Sequence, residues 1–163
     1  PELVYMIIGE GPEKFNLKAL CLKLGLKNKV VFLENIDNHD LSLYYQLANL
    51  FVMPSVNLAG DVEGFGIVYL EAALFGLPAV AGKSGGVMEA VIDNETGLLV
   101  EPNNQADLIA KISRLLSDQI LYEKLAIQAK TRVEQDFKWG KQAHKLADRI
   151  HNICITYGQR QKT

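Results

Sequence analysis

Short apolar runs alternate with stretches of helical period along the first two thirds of the chain. Residues 3–8 (LVYMII) form an uninterrupted apolar run ended by Gly9, which predicts a strand buried on both faces. Leu17, Leu20, Cys21 and Leu24 then recur at helical spacing and are stopped by Gly25. Val30–Leu33 reads as a second strand, and Asn38 or Asp40 is placed to cap a short helix running to Leu47. A third strand is predicted at 50–53, before Pro54, and an irregular segment at 54–61 leads into a helix that ends near Gly76. A fourth strand at 79–81, a glycine-rich loop with a short helix, and a fifth strand at 98–100 complete the alternation. Beyond Pro102 the period is helical throughout. Leu108, Ile109, Ile112, Leu115 and Leu116 form one stripe, a charged helix covers about 118–137, and Ala143, Leu146, Ala147, Ile150, Cys154 and Tyr157 share a face. The tail from Gly158 is polar and reads as frayed.

Strands alternating with helices build βαβ units with right-handed crossovers, so the expected fold is α/β, a Rossmann-like, doubly wound parallel sheet with C-terminal helices. Ligands of such sheets bind beyond the carboxyl ends of the strands. The loops at 9–11, 34–38, 55–66 and 82–86 belong on that rim.

Composition narrows the class. The chain of 163 residues fits a single domain, and 48% hydrophobic with 22% charged residues describes neither a disordered nor a membrane-spanning protein. A net charge of −2 argues against a nucleic-acid partner, and no apolar run reaches the ~20 residues of a transmembrane helix. Cys21 and Cys154 lack metal-type spacing and read as reduced thiols, which favours a cytoplasmic setting. The chain opens on Pro1 and is apolar by Leu3, as expected of a fragment whose earlier elements lie upstream.

The candidate chemistry centres on Glu63-Gly-Phe-Gly-Ile-Val-Tyr-Leu-Glu71, where two carboxylates bracket a Gly-x-Gly turn that runs into an apolar helix. A helix start offers unpaired N–H groups and a dipole that favour an anion, phosphate above all. Donors for phosphate with acceptors for hydroxyls suggest a nucleotide-sugar site; the competing reading is an ordinary loop carrying two surface acids, and spacing alone does not separate them. Gly9-Glu10-Gly11 invites comparison with a dinucleotide fingerprint, with Glu34 as its ribose acid, but Lys14 stands where the third glycine belongs. Lys83-Ser84-Gly85-Gly86, ahead of a short helix, is a second candidate anion cradle, equally readable as a plain glycine turn. His39 reads as a capping or exposed residue, and His144 and His151 share a helical face without the further ligands that zinc requires. No metal site is expected. Neither a Gly-x-Ser-x-Gly elbow nor a Walker loop is present.

Taken in order, Glu63-Gly-Phe-Gly-x4-Glu71-Ala72, Gly76-x-Pro78, Ser84-Gly85-Gly86-x2-Glu89 and Asn94-x-Thr96-Gly97-Leu98 resemble the C-terminal domain of family-4 retaining glycosyltransferases with the GT-B fold. Gly9-x-Gly11-Pro12, Val31-Phe32-Leu33 and Met53-Pro54-Ser55 fit the same family, so the likeness covers nearly the whole chain. The segment from Asp61 to Glu71 is most similar to phosphatidylinositol mannosyltransferases that use GDP-mannose. The resemblance implies that Glu63 binds the donor sugar's hydroxyls and acts as the catalytic carboxylate, with the N–H groups of Phe65 and Gly66 beside it. It implies that Ile67 and Val68 present N–H groups to the diphosphate, that Glu71 accepts from the ribose, and that Ile36 lies against the base. The implied reaction is hexosyl transfer with retention, without cofactor or metal, from a GDP- or UDP-linked sugar to a glycan or lipid acceptor.

The chain departs from the family pattern in three respects. The basic pair that clamps the diphosphate belongs to an upstream βα unit, the N-terminal acceptor domain is absent, and Glu34 replaces a usual glycine. The fragment alone is therefore expected to be inactive. The resemblance also implies a cytoplasmic enzyme, compatible with peripheral contact to the inner face of a membrane through the missing domain. A GT-B-type nucleotide-sugar epimerase and a catalytically inactive nucleotide-binding module are the competing readings.

Overall fold

The computed structural model describes residues 3–56 and 63–160, apart from the side chains of 156–160. Part of the irregular segment expected at 54–61, together with Asp61 and Val62 of the family-like motif, lies outside the described residues. The chain forms two compact units that divide after Leu47.

The first unit is a βαβα segment: β1 (Tyr5–Ile8), α1 (Lys14–Lys23), β2 (Val30–Leu33) and α2 (Asn38–Leu47). β1 and β2 run parallel, with Tyr5 beside Val30 and Ile8 beside Leu33, and α1 is the crossover that parallel pairing requires. Gly25 ends α1 at φ 68°, donating to the Leu22 carbonyl while Leu26 donates to that of Cys21. This paired closure satisfies the last carbonyls, and the left-handed turn favours glycine. The expected cap of α2 is corrected. Asp37 carries it, accepting from the Asp40 N–H at 2.8 Å, because an N-cap oxygen serves the amide three residues on from outside the helix. His39 stays at the surface, its Nδ1 3.4 Å from Asp40. β1 is not buried on both faces as expected: Tyr5 and Ile8 are exposed, and none of residues 3–47 is fully buried.

Glu34, at the end of β2, is paired with Lys14 and lies 3.9 Å from Lys18. The Lys14 hydrogen bond, then the charges of both lysines, hold its carboxyl below the usual range against a partial opposing desolvation. An acid already committed to Lys14 does not suit the ribose role that a dinucleotide fingerprint would assign it. Asp107 is likewise depressed, chiefly by the Glu101 N–H, and Asp136 chiefly by Lys141. A carboxyl whose pKa is lowered on folding stabilises the protein above its unfolded pKa and ceases to do so as pH falls through the folded value. Thermal midpoints should therefore be flat near neutrality and drop below about pH 4.3, with a shallower drop in Glu34→Gln. An identical acid profile in that variant would count against the pair.

The second unit contains β3 (Phe51–Met53), α3 (Ile67–Leu74), β4 (Ala79–Gly82), α4 (Val87–Ala90), β5 (Gly97–Val100), α5 (Gln105–Ser117), α6 (Gln119–Asp136) and α7 (Trp139–Arg160). Its sheet is parallel in the order β3-β4-β5. Every residue of β4 and β5 is buried, as near-continuous apolar strands require when helices cover both faces. Alternation splits them: Ala79, Ala81 and Leu99 pack with Tyr69 of α3 and Val87 and Ala90 of α4, while Val80, Leu98 and Val100 pack with Leu115 of α5 and Leu125 of α6. Asn104 caps α5 through the Asp107 N–H at 3.0 Å, and Asp118 caps α6 through that of Leu121 at 2.9 Å. Ala73 of α3 meets Ala129 and Val133 of α6. The shared apolar face expected in the last helix exists, but Leu146, Ile150 and Ile153 on α7 are exposed. Among the described residues no helix is long and apolar enough to cross a membrane.

Candidate functional site

Parallel pairing puts the carboxyl ends of β3, β4 and β5 on one edge of the second unit's sheet, and the loops that leave them build the site. The chain leaving β3 passes over the end of β4 at Gly82, where a Cβ would lie 2.0 Å from the Ser55 carbonyl oxygen. It re-enters the described structure at Glu63.

Glu63 to Gly66 form the turn into α3. Gly66 is the residue before the helix, at φ 77° and ψ 65°, a left-handed conformation that places the next amides at the start of α3. The residue at the N-cap is a glycine and brings no side-chain cap, and no acid lies in the first turn of the helix. The N–H groups of Ile67 and Val68 are thus at a positively polarised helix end whose first turn carries no carboxylate. Glu71 follows Ile67 by four residues, which sets it on the same helix face, and is half-buried. Glu63 is also half-buried, and its carboxyl carbon lies 3.8 Å from the position a Cβ on Gly66 would take. Both predicted carboxylates therefore belong to the same short segment as the helix start. Phe65 is half-buried, its ring 5.7 Å from that of Phe137, so its side chain anchors the turn by packing. Ile36 belongs to the first unit, half-buried between β2 and α2 and preceded by Asn35 at φ 54°.

The second expected anion cradle is differently employed. The Lys83 N–H donates to the Val100 carbonyl at 2.9 Å, its ammonium pairs with Glu101 at 2.8 Å, and the Gly86 N–H donates to the Glu63 carbonyl at 3.1 Å. The Glu101 hydrogen bond and charge raise the Lys83 pKa. With these groups engaged inside the protein, the Lys83–Gly86 loop braces the turn at Glu63, and α4 behind it is only four residues long.

Two residues that sequence reasoning passed over complete the site's support. Tyr69 is 2% exposed, and its hydroxyl donates to the Met53 carbonyl at 2.6 Å, tying α3 to the end of β3. Its pKa is pushed up to about 12, mainly by burial and further by the Glu63 charge, against a lowering Ser55 hydrogen bond. A tyrosine in an otherwise aliphatic stretch was the available signal, since a buried phenol needs a partner. Arg132 of α6 donates to the Ala90 and Glu89 carbonyls at 2.7 and 2.6 Å, closing the carboxyl end of α4. Nothing in sequence spacing links it to α4. A hollow of about 230 Å³ opens on the same sheet edge between Ser55, Gly82, Val100 and Asn104, and none of residues 63–71 lines it.

The arrangement offers backbone donors for an anion and flanking carboxylates for hydroxyls. Comparison with known proteins gives the family and the fold. The family model for glycosyl transferases group 1 matches residues 1–132. The chain is 33% identical over 150 residues to a GDP-mannose-dependent alpha-(1-6)-phosphatidylinositol monomannoside mannosyltransferase of Mycolicibacterium smegmatis, a match covering 91% of this chain and 39% of that protein. Among solved structures, Anabaena Alr3699/HepE in complex with UDP-glucose superposes with a TM-score of 0.80 at 27% identity, over 93% of this chain and 42% of that one. The C-terminal domain of the group 1 protein LpcC from Francisella tularensis gives a TM-score of 0.72 at 29% identity, over 83% and 70%. The chain thus spans about two fifths of the length of the curated mannosyltransferase it matches.

Proposed function

The chain belongs to the glycosyl transferases group 1 family, and from that premise we propose that it binds the nucleoside-diphosphate sugar for a retaining, metal-independent hexosyl transfer. The preferred donor is GDP-mannose and the acceptor a glycan or lipid held by a further, N-terminal domain. The observation that carries this reading is the start of α3, entered through Gly66 and flanked in sequence by Glu63 and Glu71. The identity to a GDP-mannose-dependent enzyme supports the donor preference, and the fold shared with a UDP-glucose complex supports nucleotide-sugar binding in general.

In this reading the departing diphosphate gathers negative charge as the glycosidic bond breaks. The Ile67 and Val68 N–H groups, fixed at a helix end, stabilise that charge without having to reorganise. Glu71 holds the ribose and Glu63 the sugar hydroxyls, so the anomeric carbon is kept in register with the acceptor, a positioning effect. Phe65 and Gly66 add backbone donors next to Glu63.

Thermal shift with GDP, UDP and their sugar conjugates tests the reading on the complete enzyme. A nucleotide at 100 times its Kd adds roughly 2.7 kcal/mol of apparent stability. Glu71→Ala should reduce that shift for GDP and GDP-mannose alike, by the loss of a ribose contact worth about 1.5–3 kcal/mol. Unaltered nucleotide affinity in the variant would remove the ribose role.

A further inference from the structure

The turn carrying Glu63 is held from two sides by residues to which no part in the chemistry has been given. We propose that Gly86 and Tyr69 are positioning residues that set where the Glu63 carboxylate stands; its consequence for donor binding rests on the reading of Glu63 as the sugar-contacting acid.

Gly86 acts on the backbone. Its N–H donates to the Glu63 carbonyl at 3.1 Å, and a Cβ here would lie 1.8 Å from the Gly64 oxygen and 2.8 Å from its carbonyl carbon. Its own conformation, φ −80° and ψ 0°, is open to any residue. What demands glycine is therefore the approach of the Gly64–Phe65 peptide and nothing local. Since the same loop is bonded to Val100 through Lys83 and is followed by α4, whose end Arg132 closes, the brace is rooted in the core of the unit.

Tyr69 acts from beneath. A Cβ on Gly66 would stand 2.5 Å from the tyrosine ring, so the ring floors the turn, and its hydroxyl is fastened to Met53. Phe51 meets the ring edge-on at 5.5 Å and restrains its tilt. The turn that Glu63 opens is thus held at the Glu63 carbonyl by an amide donor and at Gly66 by a pinned aromatic ring. A carboxylate that must meet particular sugar hydroxyls gains from such a mount, because hydrogen bonds weaken steeply with misalignment.

The test uses Gly86→Ala and Tyr69→Phe in the complete enzyme. Gly86→Ala displaces the Gly64–Phe65 peptide, next to Glu63, without straining its own backbone; Tyr69→Phe keeps the ring and removes the hydroxyl with its bonds to Met53 and Ser55, and serves should the alanine variant fail to fold. Affinities for GDP-mannose and UDP-glucose are measured against those for GDP and UDP, with amide hydrogen exchange at residues 63–66. Expected are faster exchange in both variants and about a ten-fold loss of affinity for the nucleotide sugar the enzyme binds, the worth of about one hydrogen bond. Affinity for the sugar-free nucleotide should hold, a split that general destabilisation does not produce. Unchanged exchange in the folded variants, or equal loss for sugar-bearing and sugar-free nucleotides, overturns the proposal. Faster exchange in a protein whose unsubstituted form ignores every nucleotide sugar supports the clamp and overturns the donor-site reading instead.

Discussion

Gly66→Ala in the complete enzyme is expected to lower the release of nucleoside diphosphate from the nucleotide sugar by about 10²–10³, the cost of losing one aligned transition-state donor. Two effects converge at this position. At φ 77° an L-residue pays roughly 1–2 kcal/mol for the left-handed conformation. The added Cβ would also sit 2.5 Å from the Cδ2 and Cε2 atoms of Tyr69, an overlap that requires movement. Either the turn rotates out of its left-handed conformation, which re-aims the Ile67 and Val68 amides, or Tyr69 is driven off the Met53 carbonyl. The first misplaces the donors to the diphosphate and the second loosens α3 from β3. A lower thermal midpoint should accompany the kinetic loss. Near-normal turnover in a folded Gly66→Ala protein would show that this helix start does not face the leaving group.

Glu63→Ala is the second substitution with a large expected effect. Turnover should fall by about 10², as when a reacting group loses its positioning, and affinity for the intact nucleotide sugar should fall with it. Affinity for sugar-free GDP or UDP should remain near that of the unsubstituted protein, because in the proposed reading the ribose is held by Glu71 and Glu63 meets only the sugar. Glu63→Gln separates the two roles of the group. It retains a hydrogen-bond acceptor but not the charge, so a milder loss points to hydroxyl binding and an equal loss to electrostatic stabilisation of the anomeric carbon. If sugar-free nucleotide were weakened as much as the sugar conjugate, Glu63 would not be the sugar-contacting residue.

The clamp on Glu63 refines both expectations. A carboxylate can be the right residue and still be ineffective when the peptide beneath it shifts, so Gly86→Ala should resemble a weak form of Glu63→Ala. Arg132 belongs to the same chain of support, one step removed, through the carbonyls of Glu89 and Ala90.

Much of this was legible before any coordinates. The apolar runs placed all five strands to within a residue or two, since a strand buried on both faces leaves an unbroken signal, as at 79–82 and 97–100. The turn from Glu63 to Glu71 stood out because glycines, a helix start and two acids coincide there. What misled was local ambiguity. Asn38 and Asp40 are good capping residues, yet the geometry selects Asp37. The run at 3–8 reads like a buried strand, yet Tyr5 and Ile8 are exposed within the first unit. Apolar composition says what would gain from burial but not what covers it. The periodic face of α7 illustrates the same limit, with Ile150 53% exposed.

By itself, then, the chain determined the class of its fold, the order of its elements and the candidate segment for its chemistry, because periodicity, glycine placement and helix starts are local properties. Only the tertiary structure decided how that segment is held. Gly86 and Glu63 are twenty-three residues apart in the chain, and Arg132 follows Ala90 by forty-two, so no spacing rule connects them. The donor of one hydrogen bond and the acceptor it meets are set by how the strands stack and the helices pack. The Lys83–Gly86 loop shows the difference most plainly: its residue types suit an anion, and the amides of Lys83 and Gly86 donate to the carbonyls of Val100 and Glu63.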